Sequence, residues 1–312
     1  IDSMTIEDLN KEPHFAECYI SHKVFERLSA IQDFYDTINM TSSSCTDMPL
    51  TSNIGKTLCV LFSSIKGTIE SIFILLKHGH CNDAFALIRK YSDAIIIDTY
   101  KSILIKETYA QFFNDVSWEV IVKNKVSEWI EAKSPLMDMH PKKEFQEIKK
   151  AFPQLMDILD LKSKKNKPQK LDYVNPDSEE EQPLYCKIRS FCNDNVHYNS
   201  FGAFLWNDPD FLRCHIDISL KLLNNVYSCM TFLSSMHFAF LYELHPEYFM
   251  AADYIDYLER GEQPPLGSEY WVAPGLQDFF TRVVYPYNNN KLGKYLISLD
   301  KMNLTNGTEQ DK

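Results

Sequence analysis

Apolar residues return at helical spacing along nearly the whole chain, and only nine of its 312 residues are glycine. Glycine usually makes up about 7% of a chain, so a share of roughly 3% leaves few tight turns and suits long helices. Val24, Leu28, Ile31, Tyr35 and Ile38 follow i, i+4, i+7, i+11 and i+14. Ile54, Leu58, Leu61, Phe62, Ile65, Ile69, Ile72, Phe73 and Leu76 mark a longer helix that opens near residues 51–53 and stops at Gly79. Residues 82–105 are apolar nearly all round, the pattern of a helix at the centre of a bundle. Further helices are expected over 117–132, over 142–160 with a kink at Pro153, and over 209–245 as one very long element. Strand-type alternation is absent. The expected fold is all-α, an antiparallel bundle of long helices.

The pattern breaks over 161–183, where five lysines are followed by acidic residues, as in a solvated loop. Residues 1–245 are therefore read as the bundle carrying that loop. Residues 246–300 form a smaller, aromatic-rich C-terminal helical extension, and 301–312 a flexible tail. The formal net charge of -11 argues against a surface given over to nucleic acid, although a local basic patch can still bind a polyanion. Eight cysteines occur without a CxxC pair, which points to reduced thiols and a cytoplasmic location. Residues 1–20 are acidic and mixed, so no signal peptide is expected. No apolar run approaches the length of a membrane span.

Two local patterns invite chemistry and then lack its context. Gly55-Lys56-Thr57 ends like a phosphate-binding P-loop, but Leu50 stands where that motif needs a glycine and no strand precedes it. His78-Gly79-His80-Cys81 offers metal-ligand types too closely spaced for tetrahedral zinc. No metal and no cofactor are expected.

Polar residues at helical spacing give the sharper candidates. Arg89 and Asp93 sit one turn apart on the nearly all-apolar helix. Burying an unpaired charge is costly, so each needs a polar partner, or Arg89 faces a cleft between helices. In Arg189-Ser190-Phe191-Cys192-Asn193-Asp194-Asn195-Val196-His197, the residues Arg189, Asn193 and His197 fall at i, i+4 and i+8. Each step turns the stripe by only about 40°. Leu184, Ile188, Phe191, Cys192 and Val196 cluster on another face. An imidazole can move a proton at a ribose 2′-hydroxyl, and a guanidinium can stabilise charge on a phosphorane. Asn193 can orient a phosphate, and Asp194 can influence the His197 tautomer. Lys164, Lys165 and Lys167, with Lys162 and Lys170, could guide RNA toward such a cleft.

The pattern Leu87-Ile88-Arg89 with Asp93 on an early helix, then Cys192-Asn193-Asp194-Asn195-Val196-His197 later, resembles the HEPN-like proteins over about residues 54–245. Many of that family are prokaryotic defence or toxin ribonucleases. The resemblance implies a metal-independent ribonuclease with Arg189 and His197 as the catalytic pair, formed across a homodimer. The interval between them is longer than the family's usual one. That interval, the acidic charge and the aromatic C-terminal third suit an alternative: a non-catalytic helical scaffold that binds a protein partner or a small ligand.

Overall fold

A computed structural model describes residues 15–45, 52–112, 141–159, 184–197 and 201–307. The fold is all-α: the described residues contain no named strand, only an isolated antiparallel bridge between Met250 and Val272. The elements are α1 (Glu17–Ile20), α2 (Lys23–Cys45), α3 (Ser52–Lys77), α4 (Cys81–Phe112), α5 (Pro141–Ala151), α6 (Pro153–Ile158), α7 (Leu184–Val196), α8 (Phe201–Leu205), α9 (Pro209–Cys214) and α10 (Ile216–Leu244). Beyond them come α11 (Ala252–Glu259), α12 (Pro274–Phe279) and α13 (Lys291–Ser298), with short 3₁₀ and π turns between. None of the described helices is long and apolar enough to cross a membrane.

Most expected elements are present, with two corrections. The 142–160 helix does not kink at Pro153 but ends at Ala151 and restarts there. Proline has no N–H to continue the ladder, whereas its fixed φ suits the first position of a new helix. The long element over 209–245 is likewise two helices parted at His215. Its φ of -119° leaves the helical region, and Ser219 Oγ donates to Leu212 O at 2.6 Å, satisfying a carbonyl at the end of α9. The helix expected over 117–132 and the loop expected over 161–183 lie outside the described residues.

The chain forms two compact units, and α2, α3, α4 and α10 each contribute residues to both. The first comprises residues 1–30, 67–91 and 163–230. Tyr19, Val24, Leu28, Ile69, Ile72, Leu76, Phe85 and Ile88 are buried there, each contributing about 1.5–3 kcal/mol where burial of an apolar side chain is complete. Gly79 ends α3 with φ at +78°. Gly79 N donates to Leu76 O at 3.0 Å and His80 N to Leu75 O at 2.8 Å, the paired bonds of a Schellman turn.

The second unit comprises residues 31–66, 92–162 and 231–312. Its core is aromatic. Phe34 stacks on Phe279 with centroids 4.6 Å apart, and Phe238 meets Phe249 edge-on at 4.9 Å. Much of the aromatic density in the C-terminal third is therefore core.

Candidate functional site

In α7 one face is apolar and inward: Tyr185, Ile188, Phe191 and Cys192 are buried. Phe191 meets Phe85 of α4 edge-on at 4.7 Å, and Trp206 lies 6.2 Å from Phe191. This packing fixes the rotation of α7 against the start of α4. Val196, expected on that face, is 40% exposed. Asn195 takes the inward place instead: its Nδ2 donates to Phe191 O at 2.8 Å, and its carbonyl accepts from Asn82 Nδ2 at 3.3 Å. An amide can close the fraying end of a helix where valine cannot, because it satisfies a backbone carbonyl.

The rotation brings two candidates together. Arg89 Nε donates to Asn193 Oδ1 at 2.8 Å, and both side chains are half-buried. Since the Asn193 oxygen faces Arg89, its Nδ2 group remains to donate elsewhere. Arg189, also half-buried, donates from Nη1 to Tyr185 Oη at 3.3 Å, one turn back on α7. Asp194 is exposed. His197 is exposed on the turn just past the helix, its backbone N–H donating to Asn193 O at 3.2 Å. Asp93, half-buried, belongs to the part of α4 in the second unit. Lys164, Lys165 and Lys167 lie outside the described residues.

The start of α4 is held by the segment that follows α8. Cys81 N and Asn82 N donate to Trp206 O at 2.9 and 3.3 Å, and Asp83 N donates to Asn207 Oδ1 at 3.1 Å. The four-residue stretch His78–Cys81 is thus a turn leading into a remotely capped helix. Among the described residues no group of three or more His, Cys, Asp or Glu side chains is placed to hold a metal ion.

A second polar cluster, in the second unit, does not stand out in the sequence. His237 Nδ1 lies 2.7 Å from Tyr35 Oη, and His237 Nε2 lies 2.9 Å from Asp98 Oδ2. Lys101 Nζ donates to Asp98 Oδ1 at 2.7 Å. All four side chains are essentially inaccessible to solvent. Burial alone would raise the Asp98 carboxyl, but the Lys101 charge and the His237 hydrogen bond outweigh it and hold the group well below the usual carboxylate range. With Asp98 accepting, His237 donates from Nε2, which leaves Nδ1 facing the Tyr35 hydroxyl. The available signal is a charged pair, Asp98 and Lys101, and a lone histidine, His237, in largely apolar stretches of two helices. The carboxylate, imidazole and phenol are wired as in a hydroxyl-activating relay. Burial in the core makes them an internal brace. Searches against protein-family models, curated proteins and solved structures give no match to this chain.

Proposed function

We propose that this chain is a HEPN-like protein that cleaves RNA without a metal ion, as part of a prokaryotic defence or toxin system. The observation that carries the reading is the 2.8 Å bond from Arg89 to Asn193. It joins the early polar stripe to the later one, and α7 is helical from Leu184 to Val196. In this reading His197, on an exposed turn, exchanges a proton with the ribose 2′-hydroxyl. Arg189 stabilises charge on the phosphorane. Arg89 fixes the Asn193 amide so that Nδ2 can donate to a phosphate oxygen, and Asp194 biases the imidazole. A homodimer would bring two such helices together.

The test is cleavage of single-stranded RNA by purified protein in EDTA, followed by gel electrophoresis. Cleavage that persists in EDTA and disappears in His197→Ala is the expected result. Cleavage that vanishes with chelation, or survives His197→Ala, overturns the mechanism.

A second reading, a non-catalytic scaffold, is favoured by one observation. Val196, Phe201 and Phe204 are 40%, 76% and 57% exposed, clustered beside His197 in the sequence. Exposed aromatics of this kind suit a partner protein. This reading expects Arg189→Ala to alter stability or binding with no RNA turnover to lose, and detectable turnover counts against it.

A further inference from the structure

Two cations and a phenol converge at the start of α2, in the first unit. Lys23 Nζ lies 4.4 Å from the centroid of the Tyr227 ring, and Arg27 Cζ lies 5.0 Å from the same centroid. Arg27 Nη2 also donates to Tyr227 Oη at 2.9 Å. Lys23 and Arg27 are one helical turn apart, a spacing at which like charges repel. Neither has a carboxylate within ion-pair distance among the described residues, and the exposed Glu26 pairs with neither. In a chain of net charge -11, two neighbouring cations left uncompensated stand out.

The surroundings supply donors. Arg27 Nη1 is shielded from water and has no acceptor among the described residues. A buried donor in that condition calls for an acceptor that the described residues do not provide. His22 Nδ1 accepts from Val24 N at 3.2 Å, so His22 is neutral and its Nε2–H donates to Asn224 Oδ1 at 3.2 Å. Burial lowers the His22 pKa in spite of Asn224, and the Lys23 charge lowers it further. Asn224, exposed on α10, keeps its Nδ2 group as a donor. Lys23 is exposed, and its flexible stem can swing to admit an oxygen beside Arg27.

We propose that this corner binds a dianionic phosphoryl group, held by Lys23, Arg27 and the Asn224 amide. Charge selects the class. Two cations are balanced by a terminal phosphate with two negative charges, whereas a carboxylate or a phosphodiester balances one. The planar guanidinium suits a tetrahedral oxyanion, which it can grip through paired N–H groups. The ligand is free phosphate or the terminal phosphate of a nucleotide, and the assignment is independent of the ribonuclease reading.

The experiment is calorimetric titration of the full chain at matched ionic strength with three probes: inorganic phosphate, a nucleoside diphosphate, and a single-stranded oligonucleotide lacking terminal phosphate. Saturable binding of at least one of the first two is expected, and the tighter of them identifies the source. The oligonucleotide should bind about tenfold more weakly or worse. Lys23→Gln and Arg27→Gln should each weaken phosphate binding by about tenfold, while Lys23→Arg retains it. Arg27 is half-buried, so circular dichroism checks that variant, and the exposed Lys23→Gln carries the test if Arg27→Gln misfolds. No saturable binding of phosphate or diphosphate, unchanged affinity in Lys23→Gln, or tighter binding of the oligonucleotide overturns the proposal.

Discussion

Arg89 Nε and Asn193 Oδ1 are 2.8 Å apart although 104 positions separate them. The bond is charge-assisted and half-buried, and it joins the same two helices as the edge-on contact of Phe85 with Phe191. Hydrogen bonds to charged groups contribute about 1.5–3 kcal/mol. Asn193→Ala is expected to destabilise the protein by roughly that amount, because it leaves a guanidinium without its amide acceptor. Urea denaturation of Arg89→Ala, Asn193→Ala and the double variant gives the coupling. Strict additivity would show the bond to be energetically silent.

His197→Ala and Asp194→Ala should leave stability within about 0.5 kcal/mol of the parent, since both side chains are exposed. If RNA is the substrate, these variants then separate chemistry from folding. A large fall in melting temperature for either would place the residue in the framework instead.

Asp98→Asn should be far more damaging. It leaves the buried Lys101 without its carboxylate, and breaking a buried pair costs about 3–5 kcal/mol. The pH dependence has a definite sign. The folded Asp98 carboxyl lies below the ordinary aspartate value of 3.8. It therefore adds stability above that value, and the contribution is lost as pH falls from about 3.8 toward the lowered folded value. Denaturation at neutral and acid pH should show a shallower acid-side loss in Asp98→Asn than in the parent. Equal slopes would mean that Asp98 is not charged in the native state.

Much of this fold is legible in the sequence because burial follows helical period. Leu28, Ile31, Tyr35 and Ile38, aligned by spacing alone, are all buried, and the stop at Gly79 is a left-handed turn. The break at His215 is not legible. It depends on a serine hydroxyl four residues downstream reaching back across the gap, which no periodicity records. The bond between Arg89 and Asn193 joins two stripes that periodicity finds separately, but their pairing is tertiary. The brace of Tyr35, Asp98, Lys101 and His237 hides for a related reason: its members come from three helices, and nothing in the spacing of Asp98 and Lys101 points to Tyr35 or His237 as their partners.

Gly79→Ala is expected to cost about 1–3 kcal/mol, because an L-residue is strained at a φ of +78°. The added carbon would also come within 2.6 Å of Phe15 Cζ and 3.3 Å of Pro209 Cα. Thermal denaturation measures the loss, and an unchanged melting temperature would contradict the turn geometry.

Thiol labelling should divide the cysteines. Cys18 and Cys214 are exposed, whereas Cys81 and Cys229 are buried and burial pushes each thiol up to about 12. The thiolate is the reactive form, so iodoacetamide should modify Cys18 and Cys214 in the native protein and spare Cys81 and Cys229 until it is unfolded. Mass spectrometry of the labelled peptides reads the pattern directly.

The first turn of α4 depends on acceptors made much later. Asp83 is closed by Asn207, 124 residues downstream, and Trp206 serves Cys81 and Asn82. A nascent chain emerging from the ribosome therefore carries this helix with three of its opening N–H groups still hydrated until translation has passed Asn207. Polypeptides cut short before that point lose the cap altogether.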